Sequence, residues 1–74
     1  KGIDMENLKG LCYKNTKTGI LYLVIGVTNL KNKSDKYPPH VVYIGSNGDM
    51  WSCTIEQWED KIKRNVIQLW KTLE

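Results

Sequence analysis

The longest apolar run, residues 20–30 (ILYLVIGVTNL), is bounded by Thr18-Gly19 before it and Lys31-Asn32-Lys33 after it. Its β-branched and aromatic content predicts a strand. It is well short of the ~20 residues a membrane-spanning helix needs. Leu21, Leu23, Ile25 and Val27 line one face of that strand, and Ile20, Tyr22, Val24 and Leu30 the other. A strand apolar on both faces is covered on both sides, here by the rest of a small barrel and by a helix. Gly26 sits mid-run, where glycine marks a bulge or sharp bend.

The other segments arrange themselves around this strand. Residues 5–10 (MENLKG) are polar apart from one Leu and read as a lead-in. Residues 11–15 (LCYKN) form a short strand, with Leu11 and Tyr13 on one side and Cys12 on the other. Thr16-Lys17-Thr18-Gly19 is a hairpin loop in which Gly19 supplies the positive φ. The polar stretch 31–40 (KNKSDKYPPH) is the longest connection, and its Pro38-Pro39 pair holds Tyr37 extended. VVYIGS (41–46) and DMWSC (49–53) are strands joined by Asn47-Gly48, which predicts a type I′ turn with positive φ at both residues.

A helix over about 55–72 completes the plan. Thr54 and Gln57 have the spacing of a capping box. Ile55, Trp58, Ile62, Val66, Leu69 and Leu73 recur at steps of three and four, an apolar stripe of 3.6-residue period. Glu59–Lys63 and Asp60–Arg64 are favourably oriented i,i+4 pairs. Ile67 and Trp70 widen the stripe sideways, which marks them as a possible interface with another subunit. The expected fold is therefore mainly β with a C-terminal helix: a small open antiparallel barrel with strands over about 10–53, capped by one amphipathic helix. Residues 1–7 are a lead-in tail and residues 8–74 one domain. Lys1 through Asp4 and the closing Leu73-Glu74 read as appended sequence, with Met5 as the natural start.

Composition changes this picture little. The 74 residues are 41% hydrophobic and 26% charged, a globular balance, in a chain near the lower size limit for an unstapled core. With no Phe, three Trp and four Tyr supply all the aromatic mass. Cys12 and Cys53 read as reduced, buried thiols of a cytoplasmic protein rather than a disulfide framework. The net charge of +3 suits an acidic partner without being the dense basic field of a DNA packager.

Candidate chemistry is sparse. The single histidine, His40, follows two prolines and reads as an exposed loop residue. Metal-ligand spacings are absent, and no cofactor is implied. No carboxylate pair falls on the strands. Gly45-Ser46-Asn47-Gly48 lacks the lysine and following helix of a phosphate loop, so a hairpin turn is the better reading. The chain reads as a non-enzymatic protein.

In order, Tyr13, Gly19, Tyr22-x-Val24, Gly26-Val27, Val41-Val42-Tyr43, Gly48 and Trp51 resemble a short uncharacterised bacterial and phage domain family. That family has a Tyr-x-His strand, a Gly turn, a Tyr-x-Val strand, a Val-Val-Tyr strand, a Gly turn and a Trp-x-Arg strand. The resemblance covers about residues 10–60 and implies an SH3-like barrel, with no activity carried over. Two positions depart from the pattern: Asn15 stands where the family has His, and Cys53 where it has Arg. A looser analogy is to chromodomain-like and Tudor-like barrels, which also precede a C-terminal helix.

The expected function is a small binding module for nucleic acid or another acidic partner. Lys31, Lys33 and Lys36 would meet phosphates, and Tyr37, Tyr13, Tyr22 and Tyr43 would offer faces on which bases stack. The strand tyrosines also suit an ordinary core with hydroxyls at its rim. The alternative is a protein–protein interaction module, a homodimer or a phage-type inhibitor of a host protein. It would use the helix edge at Ile67 and Trp70 or a barrel groove. An aromatic exposed beside lysines distinguishes the first reading, and an apolar patch along the helix the second.

Overall fold

The computed structural model of the chain describes residues 7–31 and 36–72. Five strands and one helix follow in order: β1 (Leu11–Asn15), β2 (Leu21–Val27), β3 (His40–Gly45), β4 (Met50–Thr54), α1 (Ile55–Lys63) and β5 (Ile67–Thr72). The strands form a single antiparallel sheet of order β4-β3-β2-β1-β5. The expected mainly β chain with one helix is found; among the described residues the sheet is not closed, with β4 and β5 as its edges, so the expected small open barrel is not established.

Local sequence explains most of the connections. Asn15 Oδ1 accepts the backbone N–H groups of Lys17 and Thr18, and Gly19 takes φ +80°, closing the β1–β2 loop. In β2, Val24 faces Tyr43 and Gly26 faces Val42, leaving Ile25 as an extra residue. This is the bulge that Gly26 predicts.

The β3–β4 turn is not type I′, because Asn47 is not at positive φ. Instead Gly48 donates to the Gly45 carbonyl at 2.9 Å and alone takes positive φ, +94°. That is the three-residue pattern in which a single left-handed glycine completes the loop. Asn47 keeps an ordinary backbone and uses its Oδ1 to accept from the Asp49 N–H.

The C-terminal segment differs most from expectation. The capping box forms as the spacing predicts, with Thr54 Oγ1 and Gln57 Oε1 each accepting the other's backbone N–H. The helix then stops at Lys63 instead of running to about 72. Asn65 takes φ +62°, its N–H donates to the Ile62 carbonyl, and the Val66 N–H donates to the Lys61 carbonyl at 2.8 Å. These paired bonds through a left-handed residue are a Schellman cap. Beyond it, β-branched Val66-Ile67 starts a strand that docks on the free edge of β1. Pairing β1 satisfies a row of backbone groups that a longer helix would leave open.

The core lies between the sheet and α1. Trp58 is fully buried and meets Tyr13 edge-on at 5.0 Å and Tyr43 at 4.8 Å between ring centroids. Val24, Val41, Cys53, Ile67 and Leu8 complete the cluster. Leu8 lies in what reads as lead-in, yet it is as buried as any strand residue. Cys12 and Cys53 are both buried free thiols. Among the described residues no helix is long and apolar enough to cross a membrane.

Candidate functional site

The residues named as candidates from sequence separate into three places. At the end of the sheet where β2 leaves and β3 enters, Lys31, Lys36 and Tyr37 are exposed, Tyr37 to 62%. Lys36 Nζ lies 5.6 Å from the centre of the Tyr37 ring. Lys33 falls outside the described residues. The backbone beside this corner is well held. The Thr28 N–H donates to the His40 carbonyl, the His40 N–H to Thr28 Oγ1, and the Asn29 side-chain amide to the Tyr37 carbonyl. His40 is half-buried, with Nδ1 donating to the Pro38 carbonyl at 2.9 Å, so the imidazole serves the Pro-Pro corner. A concavity of about 370 Å³ between Thr28, Tyr37, Pro38 and His40 borders this cluster.

The strand tyrosines belong elsewhere. Tyr13 and Tyr43 are buried against Trp58, and Tyr22 packs edge-on against Tyr43 at 5.3 Å. Their rings are core, and a base has no face of Tyr13 or Tyr43 to stack on. Burial raises the pKa of both groups. Tyr43 is pushed up to about 12 by burial first and then by the neighbouring Cys53. Tyr13 is raised by burial against a smaller opposing effect of the Trp58 indole. The Cys53 thiol is likewise raised by burial, only partly offset by Lys61, and a thiol held protonated is a poor nucleophile.

The expected interface residues also part company. Ile67 is 2% exposed and is a core residue on β5, because a strand places it on the inner face where a helix would have placed it sideways. Trp70 is 51% exposed on the same strand. Lys14 Nζ lies 4.6 Å from the centre of its ring. In register, Lys71 stands opposite Cys12 and Gln68 opposite Lys14. Lys14 and Cys12 alternate with Tyr13, so they occupy the face turned away from α1.

Charge is segregated across the molecule. The acidic residues among those described are Asp49, Glu56, Glu59 and Asp60, all in the β3–β4 turn or in α1. From Asn7 to Lys31 there is none, while Lys9, Lys14, Lys17 and Lys31 occur there; β5 adds Lys71 and no acid. The β1–β2–β5 side is therefore purely cationic among the described residues. That acid-free stretch is visible in the sequence. The meeting of Lys14 with Trp70 is not, because it depends on β5 being a strand.

A third feature is a groove of about 610 Å³ between β4 and α1, lined by Trp51, Glu56, Asp60 and Arg64 with Tyr43 and Cys53 beneath. Trp51 and Met50 are exposed on this edge strand, at 50% and 64%. Asp60 and Arg64 pair at 3.3 Å in the open, a contact contributing at most about 1 kcal/mol. Among the described residues, no group of three or more His, Cys, Asp or Glu gathers to hold a metal. Compared with known proteins, the chain matches no family model, no curated protein and no solved structure.

Proposed function

We propose that this chain is a non-enzymatic binding module for nucleic acid, built on a small SH3-like framework. Support for the framework is the four-strand meander whose fifth strand returns to β1 after a helix. The observation that carries the function is the exposed Tyr37 with the Lys36 amine over its ring, at the end of the sheet where exposed Lys31 also lies. Aromatic faces accept bases and lysines accept phosphates, and here the two are adjacent and solvent-facing. Titration with single-stranded and duplex oligonucleotides at low salt tests it. Replacing Lys31, Lys33 and Lys36 together by Ala flattens the salt slope by about 0.7–0.9 per lost phosphate contact. Tyr37→Ala weakens binding at unchanged slope. Affinity no tighter than about millimolar, the weak end of specific recognition, removes the reading.

The second reading, a protein-interaction module, is favoured by the exposed Met50 and Trp51 beside the β4–α1 groove. Its simplest form is self-association there. Sedimentation across a wide concentration range, with Trp51→Ala as control, tests that form, and a constant monomer mass excludes it.

A further inference from the structure

We propose that the outer face of β1 and β5 is a platform for single-stranded nucleic acid, on which Trp70 stacks a base while Lys14 and Lys71 hold the adjoining phosphates. This rests on the nucleic-acid reading above and adds to it a second contact surface and the form of the ligand.

An exposed tryptophan touching a lysine also occurs as plain surface packing. Three observations set this pair apart. First, Trp70 has no partner residue in β1: Lys71 faces Cys12 and Leu69 faces Tyr13, so Trp70 is the extra residue of a bulge. Bulges re-aim a side chain, and they recur beside functional sites. Second, Lys14 and Lys71 are diagonal neighbours across the β1–β5 pair, roughly 7–8 Å apart at the backbone. The Lys14 amine stands over the indole, and Lys71 follows Trp70 on the same strand. Third, no carboxylate of the described residues lies on β1, β2 or β5, so nothing on these strands offsets the cations.

The form of the ligand follows from the aromatic. In a duplex the base faces are stacked on one another, so a protein meets base edges and phosphates but no face on which an indole can stack. A single strand can lay a base on the half-exposed indole, and every base has a face to offer. The Lys14 amine adds a cation–π contact that fixes the ring in place.

The test uses the whole chain and a fluorescently labelled oligothymidylate at low salt, with a duplex of equal length and anionic phospholipid vesicles as separate arms. Trp70→Ala is expected to weaken oligothymidylate binding roughly 5- to 150-fold at unchanged salt slope, while Trp70→Phe recovers most of it. Lys14→Gln with Lys71→Gln lowers the salt slope by about 0.7 per contact, as single strands require. Trp70 is half-exposed on an edge strand, so circular dichroism should show its variants folded like the parent. If Trp70→Ala binds like the parent while Tyr37→Ala weakens, the platform is overturned and the broader reading stands. If no oligonucleotide binds, both fall. Duplex binding as tight as single-strand binding overturns the platform, and so does Trp70-dependent binding to vesicles alone.

Discussion

Removing the Trp58 side chain tests the architecture most directly. It is the one buried residue of α1 and the piece that joins helix to sheet. Trp→Ala in a packed core costs about 3–5 kcal/mol. The two ring contacts, with Tyr13 at 5.0 Å and Tyr43 at 4.8 Å, each contribute about 0.5–1.5 kcal/mol beyond area, which places Trp58→Ala at the upper end. A domain of this size holds about 4–11 kcal/mol in total, so most of its stability is at stake.

One feature works the other way. The Trp58 ring meets Tyr13 edge-on, yet among the described residues its buried indole N–H has no acceptor at hydrogen-bonding distance. A buried donor left so costs about 1–3 kcal/mol. Trp58→Phe keeps a ring against both tyrosines and removes that donor, so its loss should be below about 2 kcal/mol. Urea unfolding followed by far-ultraviolet circular dichroism measures both variants without relying on the deleted fluorophore. A loss under about 1 kcal/mol for Trp58→Ala, well outside the usual range for such truncations, refutes the anchoring role. Equal losses for Phe and Ala refute the account of the unsatisfied N–H.

Three further outcomes are expected. Asn65→Val should cost about 1–2 kcal/mol in urea unfolding, since a β-branched residue resists the left-handed backbone that ends α1, and Asn65→Gly should be close to neutral. Stability should fall with alkali. Tyr43 titrates near 10 when unfolded and near 12 when folded, so its stabilising effect is complete below pH ~10 and lost as pH rises towards ~12; melting temperatures across that window check it. Cys12 and Cys53 should both label in urea without reductant and only slowly in the folded protein; a requirement for reductant overturns the free-thiol state.

Much of this fold is legible in the chain, for identifiable reasons. The bounds of β1, the Gly26 bulge and the Thr54–Gln57 box rest on local chemistry, which acts over a few residues whatever surrounds it. Residues 66–72 are different. Val66 and Leu69 continue the helical stripe of Ile55, Trp58 and Ile62, and the same residues are also β-branched or compatible with a strand. What decides is the free edge of β1, a long-range partner that no window of sequence contains. Asn65 was the available local signal, as a residue that tolerates the left-handed cap. The candidate site followed the same division. Exposure of Lys31, Lys36 and Tyr37 is readable from polarity and the proline pair. For Tyr13 and Tyr43 the sequence offers both a core reading and a stacking one; α1 covers the sheet face they share, and they are core.

The β1–β5 pairing has a consequence for synthesis. As the chain leaves the ribosome, β1 gains β2 at once, and β3 and β4 follow by hairpins between neighbours in sequence. The remaining edge of β1 waits for β5, its most distant partner along the chain, and with β5 comes Ile67, which seals the core beside Trp58. Until then Tyr13 and Trp58 lack a wall, and a translation intermediate displays aromatic surface next to an open strand edge. Such pairings between distant segments fold slowly and leave unpaired edges open to aggregation. A stalled or truncated chain that ends before Ile67 should therefore be a substrate for chaperones, with the meander formed and the core still unsealed.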